Sequence, residues 1–241
     1  GDSVATHSGE DLVVSVGEFA KNRNVKDDME DGAESVTIDV KDSSKVAISI
    51  TTDKGKSYSN SYKVDKGGNL CVYAGEGQDK IVIKGDKKAD FNIIVYGGTD
   101  NDNIDLSGLS LAENRYAIVM GGFGNDILKG AMSGTNYLFG EEGLVTYTPA
   151  TSKEDKKIYQ TAAYIAEDGT SGTDVIVGGE NTDDKTRLRT VIFGGDGDDF
   201  IAAGSDESYL FGDYGRLTEN ADGSIVADRY DMFDEGGDDL I

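Results

Sequence analysis

Cysteine, proline and histidine are almost missing from this 241-residue chain, which has one of each: Cys71, Pro149 and His7. A single cysteine excludes a disulfide framework within the chain. Its neighbours Leu70, Val72 and Tyr73 place it on an apolar strand, as a buried and inert thiol. One proline beside 33 glycines is not the composition of a disordered linker. No apolar run approaches membrane-spanning length, and Gly1-Asp2-Ser3 shows neither Met nor a signal pattern, so the chain reads as a processed or excised piece. Basic charge is scarce as well. Lys+Arg 23 against Asp+Glu 46 gives a net charge of −23, which makes nucleic acid and membrane insertion poor expectations. With imidazole and thiolate nearly absent, zinc, copper and iron are disfavoured, and His7, in an expected N-terminal tail, is not read as a ligand or base. No His-Glu-x-x-His and no Gly-x-Ser-x-Gly elbow before a helix occurs, so no catalytic set is expected. Threonines are scattered rather than arrayed on one face, which argues against ice binding.

What is abundant is glycine set against aspartate. Gly121-Gly122-Phe123-Gly124-Asn125-Asp126-Ile127-Leu128-Lys129 and Gly194-Gly195-Asp196-Gly197-Asp198-Asp199-Phe200-Ile201-Ala202 both spell G-G-x-G-x-D-x-U-x, with U a large apolar residue. Glycine lets the backbone turn sharply and aim carbonyls inward, Asp supplies a hard anionic oxygen, and U opens a strand. Residues 74–81 depart from the pattern only at the first glycine, and 97–104 replace the third glycine with Asp100. Gly172-Thr173-Asp174-Val175-Ile176 and Gly237-Asp238-Asp239-Leu240-Ile241 keep the second half. Aspartates 79, 102 and 126 stand 23 and 24 residues apart, and 174 and 199 stand 25 apart. Such a near-constant period marks stacked solenoid repeats.

Short apolar runs interleave with these turns. Residues 70–73, 93–96, 117–120 and 190–193 each lead straight into a glycine turn, and 137–140 and 209–212 belong to the same class. Tyr73, Tyr96, Met120 and Phe193 are expected to stack as one column of core packing. A larger repeat pairs 119–140 with 192–212, and an interruption follows each copy. In the first, 144–147 and 161–165 flank a polar loop with Pro149; in the second, 216–218 and 224–226 flank Asn220-Ala221-Asp222-Gly223. Both read as hairpins ejected from the wall, at about 143–170 and 213–230. Residues 1–67 lack the turns. There, 36–40 and 46–50 alternate with period two, and 19–29 is the only helix-friendly stretch. The fold class expected is all-β, with 1–67 as a β-rich cap or a first solenoid tier and 68–241 as the repeat region.

The nonapeptide resembles the calcium-binding repeat of RTX (hemolysin-type) secreted bacterial proteins, in which it builds a parallel β-roll. The resemblance implies calcium between stacked turns, held by motif aspartates and backbone carbonyls. The implied ligands are Asp126 with the carbonyls around Gly121, Gly122 and Phe123, and Asp199 with those of Gly194, Gly195 and Asp196. Asp79 with Gly75 and Gly77, and Asp102 with Gly97, Thr99 and Asp100, fall in the same row; Asp174 and Asp239 mark the half-motifs. The family's coil is two nonapeptides, whereas this repeat is longer and its second turn, as at 85–90, departs from the motif. One calcium row is therefore expected in place of two, with about two to six ions. Glu141, Glu142 and Asp213 mark possible additional sites, and Asp100 and Glu76 read equally as ligands or as surface charge.

The function this implies is a calcium-binding structural or adhesive segment of a secreted, extracellular or cell-surface protein: adhesin, surface layer or filament. It would fold on meeting calcium outside the cell, with identical chains or cell-surface glycans as partners. The alternative is an accessory module of a secreted polysaccharide-modifying or hydrolytic enzyme. Because Ile241 falls in mid-motif, either the parent protein continues or another chain is expected to complete the edge.

Overall fold

The computed structural model describes residues 2–152, 155–163, 172–181, 185–204, 207–229 and 237–241. The protein is all-β apart from one short 3₁₀ helix among these residues. β1 (Ala5–Ser8) and β2 (Asp11–Val14) form a hairpin, the 3₁₀ helix Gly17–Arg23 follows, and β3 (Ser35–Asp42), β4 (Lys45–Thr51) and β5 (Ser57–Lys63) make an antiparallel meander. Then come β6 (Asn69–Tyr73), β7 (Lys80–Gly85), β8 (Asn92–Gly98), β9 (Asn103–Asp105), β10 (Tyr116–Gly122), β11 (Ile127–Lys129) and β12 (Gly134–Phe139). β13 (Gly143–Tyr147) and β14 (Ile158–Ala163) form the first inserted hairpin. β15 (Val175–Val177), β16 (Leu188–Phe193), β17 (Phe200–Ala202) and β18 (Glu207–Phe211) precede the second, made of β19 (Gly215–Glu219) and β20 (Ile225–Arg229).

From β6 onward, hairpins aside, the chain alternates between two eight-stranded sheets. The first runs β1-β2-β6-β8-β10-β12-β16-β18, and the second β17-β15-β11-β9-β7-β3-β4-β5. Neighbours in the repeat region pair in parallel and in register. Residues 2–67 supply strands to both sheets, so the repeat region continues directly from them.

The register explains the apolar pattern. Val72, Val95, Val119, Leu138 and Ile192 line one column of the first sheet, facing Val36, Ile81, Ile104, Leu128, Ile176 and Ile201 of the second, and together they form the core between the sheets. The second sheet is fully buried on that face only, which is why β7 reads as an alternating strand. The first sheet is apolar on both faces. Its outer column runs Tyr73, Tyr96, Met120, Phe139, Phe193, Phe211, so the expected aromatic column exists, with Phe139 inserted between Met120 and Phe193. Phe139 stacks on Phe193 at 5.0 Å between ring centroids, and Phe193 on Phe211 at 4.7 Å.

The hairpins cover that outer face. Rather than projecting separately, β14 pairs with β19, which joins the two into a four-stranded antiparallel sheet, β13-β14-β19-β20. Ile158, Ala163, Tyr214 and Leu217 from this layer bury Tyr116, Ile118, Tyr137, Phe139, Val191 and Phe193 in a second core. The expected strand at 161–165 is described only as far as Ala163 within β14; residues 164–170 of the first expected insertion and residue 230 of the second lie outside the described residues.

Two expectations for the N-terminal third change. His7 lies on β1, opposite Leu12, and not in a tail. The helix-friendly stretch at 19–29 folds only as far as the seven-residue 3₁₀ helix, which has no side-chain N-cap bond and ends at Asn24 in the left-handed conformation. So short a segment gains little from helix formation by itself. Phe193→Ala is expected to cost about 3–5 kcal/mol, read as a lower urea midpoint, because it removes the fully buried middle ring of the stack.

Candidate metal centre

Because Ser35, Lys80, Asn103, Ile127, Val175 and Phe200 are in register, the residues just before them stack too. Those residues are Glu34, Asp79, Asp102, Asp126, Asp174 and Asp199, and the bridge of Leu240 to Phe200 adds Asp239. Seven carboxylates thus form one row where the glycine turns enter the second sheet. Each aspartate uses Oδ1 to accept a hydrogen bond from the backbone N–H of the row residue before it. Glu34 N donates to Asp79 at 2.7 Å, Asp79 N to Asp102 at 2.8 Å, and Asp102 N to Asp126 at 2.8 Å. Asp126 N donates to Asp174 at 2.7 Å, Asp174 N to Asp199 at 2.8 Å, and Asp199 N to Asp239 at 2.9 Å.

The other oxygen has no such partner. Oδ2 of Asp79, Asp102, Asp126, Asp174 and Asp199 is buried without a hydrogen bond. It faces the first glycine of the turn: a Cβ on Gly121 would sit 2.5 Å from Oδ2 of Asp126, and one on Gly194 would sit 2.6 Å from Oδ2 of Asp199. On the same glycines that Cβ would collide with the carbonyl oxygen of Gly140 or Gly212 in the adjoining turn. A carboxylate oxygen and a carbonyl oxygen from successive turns therefore line one space that only glycine leaves open. Among the described residues no three carboxylate, imidazole or thiolate groups converge as a cage. An ion in this row would take most of its oxygens from the backbone.

The electrostatics follow from burial. Desolvation raises every carboxyl of the row that is enclosed: Asp126 and Asp199 to about 7, Asp102 to about 8, Asp174 to about 9. Donated backbone N–H bonds oppose the rise, and neighbouring row carboxylates add to it at Asp102, Asp174 and Asp199. Asp79 and Glu34 rise for the same leading reason.

One end of the row carries its own cation. The Arg23 guanidinium, 2% exposed, donates to Oε1 of Glu34 at 3.1 Å and to the backbone carbonyls of Asp28 at 2.9 Å, Glu30 at 2.7 Å and Ser15 at 3.3 Å. Carboxylate and carbonyl oxygens surround this fixed positive charge, as the glycine turns surround the space beside Oδ2.

The structure brings Asp79, Asp102, Asp126, Asp174, Asp199 and Asp239 together, with Gly97, Gly121 and Gly194 against their carboxylates. Gly75 and Gly77 adopt positive φ, and Gly77 N–H bonds to Asp100. Thr99 and Asp100 are exposed, and Phe123 and Asp196 are half-buried at the turn surface; the backbone N–H groups of Thr99 and Phe123 bond to the carbonyls of Gly75 and Gly98. Sequence reasoning missed Glu34 and Arg23. Glu34 was detectable as an acid directly ahead of the period-two strand at 36–40, after Gly32. Arg23 left no local signal.

Compared with known proteins, the chain matches no family model. It matches no curated protein and no solved structure either.

Carboxyls that hold protons more tightly folded than unfolded contribute stability below the unfolded value near 4, and that contribution is lost as pH rises through the folded values. In chelator, the folded fraction read by far-UV circular dichroism is therefore expected to be higher at pH 5 than at pH 8.5, falling as pH rises above about 4 and fully lost by about pH 9. A metal-free chain whose folded fraction rises over that interval would contradict the row's burial. Arg23→Met is expected to destabilise the fold by about 3–5 kcal/mol, because it leaves Glu34 buried and unpaired; urea unfolding of the full chain reads it.

Proposed function

We propose that the chain is a calcium-dependent parallel β-roll with one row of ions, forming a structural and adhesive segment of a secreted bacterial surface protein. The observation that carries this reading is the row of five buried aspartate Oδ2 atoms with no hydrogen-bond partner. Like charges stacked in a desolvated row need either protons or cations. Bound calcium would supply positive charge that lets the row ionise together at neutral pH. The chain's part is to present oxygens. The Oδ1–amide bonds fix the carboxyl planes, and the glycine turns leave room for Oδ2 and an adjoining carbonyl to face the same space. Hard, largely backbone oxygens suit calcium better than zinc, and better than magnesium, which keeps its water.

The alternation of the chain between two parallel sheets supports a β-roll. With a net charge of −23, the metal-free chain repels itself and stays expanded, which suits export; calcium outside the cell would convert binding energy into folding energy. The adhesive part rests on a cleft of about 810 Å³ beside the hairpin sheet, lined in part by the half-buried Tyr159 with Arg115, Arg187, Asn220 and Glu219. An aromatic ring beside guanidinium, amide and carboxylate groups suits a glycan. No helix among the described residues is long and apolar enough to cross a membrane.

Far-UV circular dichroism in chelator and then in millimolar calcium tests the reading: a coil-to-β transition is expected. Asp126→Asn with Asp199→Asn, which keeps the Oδ1 acceptors, is expected to lower calcium stoichiometry and weaken the remaining affinity about tenfold or more. A β spectrum indifferent to thorough chelation would discard the calcium reading.

A further inference from the structure

Both hairpins interrupt a glycine turn at the same point. In the intact turns the second position is a glycine of positive φ: Gly75, Gly98, Gly122 and Gly195, at +83°, +100°, +90° and +91°. Strand register sets Glu141 level with Gly122 and Gly195, and Gly122 N–H bonds to the Glu141 carbonyl. Asp213 stands at the same level, and its carbonyl accepts from Gly195 N–H. After each hairpin the chain re-enters the turn at its fourth position. Gly172 packs on the carbonyl of Gly124, Gly197 on that of Gly172, and Gly237 on that of Gly197. The first interrupted turn is thus Gly140-Glu141, then the hairpin, then Gly172-Thr173-Asp174. The second is Gly212-Asp213, then the hairpin, then Gly237-Asp238-Asp239.

Neither Glu141 nor Asp213 takes positive φ. Where the backbone departs for a hairpin, the left-handed step is not made and a side chain is admitted. In both turns that side chain is a carboxylate, and that of Asp213 is bonded across the hairpin root. Gly237 N–H donates to Oδ1 of Asp213 at 3.0 Å, and the backbone amides of Gly172 and Asp196 act on the Glu141 carboxyl, opposing the rise that burial causes. Glu141 is 7% exposed and its Oε1 has no partner. It lies against the backbone of the next turn, where a Cβ on Gly195 would sit 3.2 Å from its Cγ. Its neighbour Gly140 lies against Asp174, and the turns on either side of it, at Gly121-Gly122 and Gly194-Gly195, carry Asp126 and Asp199, so it stands among three row aspartates. Oδ2 of Asp174 is also buried and unpartnered, 2.5 Å from the position of a Cβ on Gly140.

We infer that the two interrupted turns are a separate class of divalent-cation site, built by Glu141 with Asp174 and by Asp213 with Asp239, whose occupancy pins the roots of the inserted hairpins. The inference rests on the calcium reading of the row. An intact turn offers a cation one buried carboxylate; an interrupted turn offers carboxylates from either side of the hairpin root. A bound cation therefore bridges residues on the two sides of each insertion. The sites differ in strength, since Glu141 is buried and Asp213 is half-buried. Ions are expected to fill the Glu141 site at lower calcium than the intact turns, because the extra carboxylate adds charge in a desolvated place.

The test uses the full chain, calcium chloride as the probe, isothermal titration for stoichiometry, and hydrogen exchange by mass spectrometry. Glu141→Gln keeps the side chain's size and an acceptor oxygen and removes the charge. It is expected to bind about one calcium fewer, with the tightest step lost, and amides of β13 and β14 should lose calcium-dependent protection while those of β7 and β9 keep it. Glu142→Gln, at the half-buried neighbour, is expected to change neither. Should Glu141→Gln fail to fold, Asp213→Asn gives the parallel reading at β19 and β20. Unchanged stoichiometry and unchanged β13–β14 protection in Glu141→Gln would overturn the inference while leaving the calcium row in place. A wild-type chain that takes up no calcium would overturn both.

Discussion

Each motif aspartate accepts a hydrogen bond from the backbone N–H of the row residue before it, and this bond, repeated six times from Glu34 to Asp239, organises the turn edge of the protein. It satisfies an amide that would otherwise be buried just outside the strand ladder. It also locks the register of the second sheet, because a slip of one residue would remove the acceptor and turn every strand's apolar face outward. Using Oδ1 in this way leaves Oδ2 to the space beside the first glycine. The same contact that stacks the turns therefore creates the electrostatic problem that a bound cation would resolve.

The first sheet poses a second problem, since both of its faces are apolar. Its inner face meets the second sheet; its outer face, with Phe139, Phe193 and Phe211 stacked in one column, needs another layer. Two isolated hairpins would be marginal. Pairing β14 with β19 makes one four-stranded sheet large enough to cover the column. Because both hairpins leave from the glycine turns, the covering layer is rooted in the carboxylate row, so packing at the sheet face and charge at the turns belong to one connected structure.

At the other end of the row the protein has an internal solution. Arg23 brings a guanidinium to Glu34 from the 3₁₀ helix and satisfies three backbone carbonyls. A buried arginine with this many acceptors is fixed in place and always charged. The N-terminal strand pairs therefore balance their share of the row within the chain, whereas among the described residues the later turns set oxygens and amides around each aspartate. That contrast gives the row a polarity along the chain.

Much of this was legible in the residues. Spacing located Asp79, Asp102, Asp126, Asp174 and Asp199, because a near-constant period stacks like residues whatever lies between them. Apolar runs ahead of each glycine turn located the strands of the first sheet. Glu34 was obscured by being one methylene longer than its counterparts and by the absence of a full motif around it. Arg23 reaches Glu34 across 11 residues of irregular chain, and the β14–β19 pair joins segments more than 50 residues apart. By itself the sequence determined the period, the all-β strand content and the carboxylate at each turn, since these depend on local backbone geometry and side-chain chemistry. Only the tertiary structure decided which oxygen of each carboxylate is left without a partner, what neutralises the row's first member, and that the two hairpins unite over the aromatic column. Those outcomes depend on which distant segments share a desolvated space, and that is set by packing rather than by any local pattern.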